Sequence, residues 1–179
     1  MIKQVKETQN SKGGDMIVIY FDFDVSDAQG GLFMKQFKEQ DTKDRDGNPR
    51  ERKWPFAGTA WINVNDSEGK CSRKFKTFCT AVEDSNAGFK AWDSKDQFNA
   101  IGFKDKKVGA VFGEVLDWYD GRETTKVQYR WFCDVNKALD ANVPDPIETQ
   151  EHKNANKASV DADGFMNIPD GIDEDLPFN

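Results

Sequence analysis

Met16-Ile17-Val18-Ile19-Tyr20-Phe21-Asp22-Phe23-Asp24-Val25 is the stretch on which the fold turns. It reads as a long strand, because alternation places Ile17, Ile19, Phe21, Phe23 and Val25 on one face, the core side. Met16, Val18, Tyr20, Asp22 and Asp24 fall on the other, which is mixed and solvated in this reading. Upstream, residues 2–7 alternate in the same way and Asn10 to Gly14 is rich in turn formers, so a hairpin opens the domain. Downstream, Gly30-Gly31 is a turn and residues 31–38 read as a third strand. Phe33, Lys35 and Phe37 lie on one side of it and Leu32, Met34 and Gln36 on the other, and neither side is plainly solvent.

Residues 39–53 are almost wholly charged and contain Asp46-Gly47-Asn48-Pro49, the mark of an exposed loop. Trp54-Pro55-Phe56 closes it, and 56–65 can be read as a short strand or a helical turn. Residues 70–84 are an amphipathic helix, since Cys71, Phe75, Phe78, Cys79 and Val82 form one stripe while Arg73, Lys74 and Lys76 stay solvated. The stretch 86–107 is irregular, with Trp92, Phe98 and Phe103 as anchors. Residues 108–119 and 124–134 form a hairpin about Asp120-Gly121, with Val127, Tyr129, Trp131 and Cys133 on one face and Lys126, Gln128 and Arg130 on the other. The order is strand, strand, strand, helix, strand, strand. It matches a mainly β chain built as a five-stranded Greek-key barrel of the OB-fold type, with one helix between the third and fourth strands. Residues 1–143 form this domain in the present reading. Residues 144–179, without periodicity and bracketed by Pro144 and Pro146, read as a disordered acidic tail.

The charge divides at the same boundary. Of 25 bases and 32 acids, two and nine fall after Pro144, so the tail carries the whole net charge of −7 and the body holds 23 of each sign. The pI of 4.8 is therefore compatible with a polyanionic partner. Three cysteines without short paired spacing and a single histidine argue against a zinc site, and free thiols are expected. No apolar run approaches the ~20 residues of a membrane helix, and the N-terminus has no signal-peptide core, which points to the cytoplasm.

The body interleaves bases and aromatic residues as single-stranded DNA binding requires: cations for phosphates, flat rings for bases. The candidate DNA-binding residues are Tyr20, Phe33, Lys35, Phe37, Arg50, Arg52, Lys53, Trp54, Lys126 and Arg130. Phe33 and Phe37 become core if the strand faces the other way, and Trp54 before Pro55 has an alternative role as a pin for the loop's return. No metal or organic cofactor is called for.

At the C-terminus Asp173-Glu174-Asp175-Leu176-Pro177-Phe178 joins a run of acids to a short apolar tip that cannot bury itself, which marks a docking peptide. This tip resembles the acidic tail of bacterial single-stranded DNA-binding proteins, with Leu176 where Ile is usual and Asn179 one residue beyond the Phe. The body, through 11–23, 75–86 and 108–113, and the segment 164–172 resemble phage-encoded single-stranded DNA-binding or replication-associated proteins. The resemblance implies a non-enzymatic protein of phage replication or recombination that coats single strands and recruits partner proteins through the tip, in the host cytoplasm, with self-association through strand edges left open. Two other functions compete. One is a Mg²⁺-dependent nuclease using Asp22 and Asp24 with Asp117 or Glu114. The other is an adaptor that never touches DNA.

Overall fold

The strand expected at 16–25 forms but ends sooner. In the computed structural model, which describes residues 1–155, β2 (Asp15–Phe21) lies between β1 (Ile2–Gln9) and β3 (Thr59–Asn63), antiparallel to both. Ile17, Ile19 and Phe21 are buried, beside Val5, Ala60 and Ile62 of the flanking strands. Val25, expected in the core, lies beyond the strand and is exposed. A bulge between Ile2 and Gln4 lets Ile2 and Val5, three residues apart, both face the core.

The main correction concerns 31–38, which is not a strand. Leu32–Glu39 form the helix α1. The segment contains no β-branched residue, and Leu, Met, Lys, Gln and Glu are good helix formers. Its start is fixed from a distance. Asp22, placed on the solvated face by alternation, is only 2 % exposed. Its Oδ1 accepts from the Phe33 N–H at 2.9 Å and its Oδ2 from the Met34 N–H at 3.0 Å, while the Phe23 N–H also donates to Oδ1. A carboxylate here satisfies helix donors that have no intrahelical partner and complements the positive end of the dipole.

The segment 56–65, readable two ways, does both: a 3₁₀ turn at Phe56–Gly58 leads into β3. The helix α2 (Arg73–Ser85) forms where expected, with the Ser72 hydroxyl accepting from the Phe75 N–H at 3.2 Å as its N-cap. It buries Phe75, Phe78, Cys79, Ala81 and Val82. Phe78 stacks on Phe103 with centroids 5.2 Å apart and meets Phe132 at 5.1 Å, which in turn meets Phe21 at 5.4 Å. The cysteines are free thiols, and burial pushes that of Cys79 up to about 12.

The expected hairpin forms as β4 (Gly109–Tyr119) and β5 (Arg122–Cys133). Tyr129 and Phe132 both pack toward the core with centroids 4.4 Å apart, so β5 departs from strict alternation there. A short helix, α3 (Val135–Ala138), follows, and β6 (Ile147–Glu148) pairs parallel with β4. The chain is mainly β, as expected. Among the described residues the strands form two three-stranded sheets, ordered β1-β2-β3 and β5-β4-β6, and no ladder closes them into a five-stranded barrel. No helix among these residues is long and apolar enough to cross a membrane.

One turn recurs four times, opening at Asn10, Asp44, Asp66 and Asp93. In each the side-chain Oδ1 accepts from the N–H groups two and four residues on. The fourth residue has positive φ and is glycine in three cases, at 13, 47 and 69, and Asp96 in the last. The N–H groups of Asn48 and Asp46, with the Asn48 side chain, hold the Asp44 carboxyl below the usual carboxylate range.

The described residues divide into two compact units, Met1–Gly113 with Val127–Pro144, and Glu114–Lys126 with residues 145–155. The second unit corrects the expected extent of the tail. Residues 147–148 are strand and 150–155 helical. Thr149 caps that turn, its hydroxyl accepting from the His152 N–H and donating to Asp117 at 2.9 Å. His152, 2 % exposed, sits between Glu123 at 2.8 Å and Glu148 at 3.1 Å. Tertiary contact with a distant hairpin orders these residues, which local periodicity could not reveal. The candidate docking residues Asp173, Glu174, Asp175, Leu176, Pro177 and Phe178, and the segment 164–172, lie outside the described residues.

Two outcomes follow from these contacts. Asp22→Ala should lower stability by roughly 2–4 kcal/mol in chemical denaturation, since buried donors left unsatisfied cost about 1–3 kcal/mol each, and Asp22→Asn should cost less because one acceptor remains. A wild-type midpoint for Asp22→Ala would show that the cap is dispensable. The second concerns His152, whose hydrogen bonds to Glu123 and then Glu148 raise its pKa above 6.5 against the opposing effect of burial. A raised folded-state pKa means that its stabilising contribution is complete below about 6.5 and is lost as pH rises through the folded value. NMR titration of this single histidine should give a midpoint above 6.5, with protection of the Thr149 and His152 amides falling across it; a midpoint at or below 6.5 would count against the contact.

Candidate nucleic-acid interface

The solvent face of β1-β2-β3 is set by register. Gln4, Tyr20 and Thr59 lie in one cross-strand row, and Lys6, Val18 and Trp61 in the next. Gln4, Tyr20, Thr59, Lys6 and Trp61 of these rows line a groove of about 850 Å³, while Val18 between them is buried. Phe37 of α1 and Trp54 wall it on one side, while Ala100, Ile101 and Lys104 contribute from the 3₁₀ turn at Ala100–Phe103 and its end.

Trp54 is fixed from several directions. Its Nε1–H donates to the Gly58 carbonyl at 2.9 Å, and its ring meets Phe37 at 5.7 Å and Tyr20 edge-on at 6.3 Å. The preceding backbone is clamped by Gln40, the C-cap of α1. Its side chain donates to the Lys53 carbonyl at 2.7 Å and accepts from the Lys53 N–H at 2.9 Å, while the Arg52 Nε–H donates to the Gln40 carbonyl at 3.1 Å. Lys6 Nζ stands 5.5 Å from the Tyr20 ring centre. Among the described residues five cations line the groove, Lys3, Lys6, Arg52, Lys53 and Lys104, and no carboxylate does. The arrangement can attract a polyanion and offer aromatic faces to flat groups on it.

Five of the ten residues singled out from sequence come together here: Tyr20, Phe37, Arg52, Lys53 and Trp54. The other five do not line the groove. Phe33 is 4 % exposed and packs against Phe21 and Phe23 at 6.1 and 5.3 Å, as core. Lys35 is exposed on α1. Residues two apart on a helix point about 200° apart, so the aromatic-basic-aromatic face expected of a strand does not exist. Arg50 is exposed in the charged loop. Lys126 is in the second unit, paired with Asp117 at 2.6 Å. Arg130 is half-buried on β5 against Gly113 of β4.

Sequence reasoning missed Lys3, Lys6, Trp61, Ile101 and Lys104. Lys6 carried a signal, since it alternates with the buried Val5. Trp61 did not, because the face of a residue in 56–65 depends on whether that segment is strand or helix. The carboxylates considered for metal are otherwise engaged. Asp22 caps α1, and Asp24 accepts from the Ser26 N–H and hydroxyl and pairs with Lys107 at 3.1 Å, contacts that hold its carboxyl well below the usual range. Among the described residues no group of three His, Cys, Asp or Glu is placed to hold a metal.

Comparison with protein-family models, with curated proteins and with solved structures gives no match to this chain.

Gly58 tests how the groove is built. A Cβ there would lie 2.6 Å from Phe33 Cδ2 and 2.7 Å from Trp54 Nε1. Gly58→Ala should therefore displace the indole, shift tryptophan emission and cost about 1–3 kcal/mol in denaturation, as overpacking does. Unchanged emission and stability would mean that Trp54 is not held as described.

Proposed function

We propose that this protein binds single-stranded DNA in the groove of its first unit, without reading base edges and without performing chemistry on the strand. The observation that carries the reading is the convergence of five cations, with no carboxylate among the described residues, on a groove lined by Trp54, Phe37 and Tyr20. Phosphates bind the cations, and bases stack on ring faces for roughly 1–3 kcal/mol each. The order β1-β2-α1-β3-α2-β4-β5 keeps a helix between the third and fourth sheet strands, with α1 added between the second and third, and on that ground we read the architecture as OB-like, opened into two sheets. A place in phage replication or recombination, with partner proteins docking on Asp173 to Phe178, rests on the sequence resemblance and belongs to the same proposal.

Tryptophan emission titrated with a dT oligonucleotide over a salt series tests it. Saturable quenching is expected, with log K falling against log [salt] at a slope no steeper than about −3.5, the limit for five phosphate contacts to a single strand. A chain ending at residue 155 should keep that binding and lose stimulation of the cognate replication or recombination reaction. Absence of both quenching and a gel shift would leave the adaptor function in its place.

A further inference from the structure

The two most exposed aromatic side chains among the described residues of the first unit stand together. Phe56 is 63 % and Trp61 46 % exposed, with ring centroids 5.1 Å apart at 38°. Apolar rings left in water forgo the stabilisation that burial would bring. Their positions are nevertheless set by the backbone. Phe56 opens the 3₁₀ turn behind Pro55, the Thr59 hydroxyl donates to the Pro55 carbonyl at 2.9 Å, and Trp61 sits mid-strand on β3. The pair is thus held in place while remaining open to solvent.

We propose that Phe56 and Trp61 form a second base-stacking platform, beside that of Trp54 and Tyr20, so that the groove takes bases splayed apart from one another and excludes duplex. The proposal rests on the single-strand reading given above. Trp61 lines the groove itself, and Lys6 occupies the same cross-strand row while its Nζ reaches the Tyr20 ring. Trp61 thus shares its groove with Lys6 and four further cations, which favours a polyanion bearing flat groups over an apolar protein segment. Spacing separates single strand from duplex. Tyr20 and Val18, whose row holds Trp61, are two residues apart on β2, about 7 Å at ~3.4 Å per residue. Neighbouring bases in a duplex are only about 3.4 Å apart and cover each other's faces, so a base can stack on a side-chain ring only once it is separated from a neighbour.

The test measures binding of fluorescein-labelled dT oligonucleotides, and of a duplex of the same length, to the full chain and to Phe56→Ala, Trp61→Ala, Trp61→Phe and Trp54→Ala variants. Each alanine at the new platform should weaken single-strand binding by about 5- to 150-fold, the equivalent of one lost stacked base. The salt slope should stay as in wild type, because no phosphate contact is removed, and Trp61→Phe should recover most of the affinity. Duplex should bind far more weakly than dT. Wild-type affinity in Phe56→Ala and Trp61→Ala, with Trp54→Ala weakened, would overturn the second platform and leave the groove standing. If wild type binds no oligonucleotide, both readings fall. Should an alanine variant not fold, Phe56→Leu decides, since it keeps apolar volume without a ring face; undiminished affinity there would overturn the proposal.

Discussion

The carboxylate of Asp22 is the contact on which the groove depends. Buried at the end of β2, it receives the backbone N–H groups of Phe33 and Met34 and so fixes where α1 begins and how it is rotated. That rotation sends Phe33 into the core and Phe37, one turn later, to the groove wall. The far end of the same helix supplies Gln40, which clamps the Lys53 backbone and delivers Trp54 against Phe37. A single buried acid is thus linked through one eight-residue helix to the placement of an aromatic wall that lies far from it in sequence. Burying a charge is costly unless hydrogen bonds replace its water, and here three backbone donors do so.

Charge in the body is balanced by count and unbalanced in space. Many of its acids are occupied in building the fold: Asp44, Asp66 and Asp93 organise recurring turns, Asp22 caps a helix, Asp24 pairs with Lys107 and Asp117 with Lys126. The bases Lys3, Lys6, Arg52, Lys53 and Lys104 instead collect along one groove to which no acid among the described residues contributes. A neutral body can therefore present a locally positive surface, which net charge alone conceals.

The recurring turn shows how few residues specify a connection. An Asp or Asn at the first position and a residue tolerant of positive φ at the fourth suffice, because one side-chain oxygen satisfies two backbone donors that would otherwise lack partners. Each copy reverses the chain between segments that pair antiparallel across it, and the loops can remain charged and exposed.

What the sequence determined by itself were features set by local periodicity and turn chemistry. The helix at 73–85 follows from one apolar stripe and its Ser72 cap, β2 from alternation, and the β4–β5 hairpin from two apolar strands about Asp120-Gly121. Half of the candidate site was legible for the same reason: Tyr20 follows from strand parity, and Arg52, Lys53 and Trp54 from the end of a charged loop. Tertiary structure decided the rest. Residues 31–38 satisfy either period, since Phe33 and Phe37 share a face in a helix and also in a strand, and the distant Asp22 carboxylate settles the choice. Trp61 and Lys104 reach the groove only through packing of segments without a clear local pattern. The ordering of 147–155 depends on Asp117 and Glu123, some thirty residues earlier, whose contacts no window along the chain could contain.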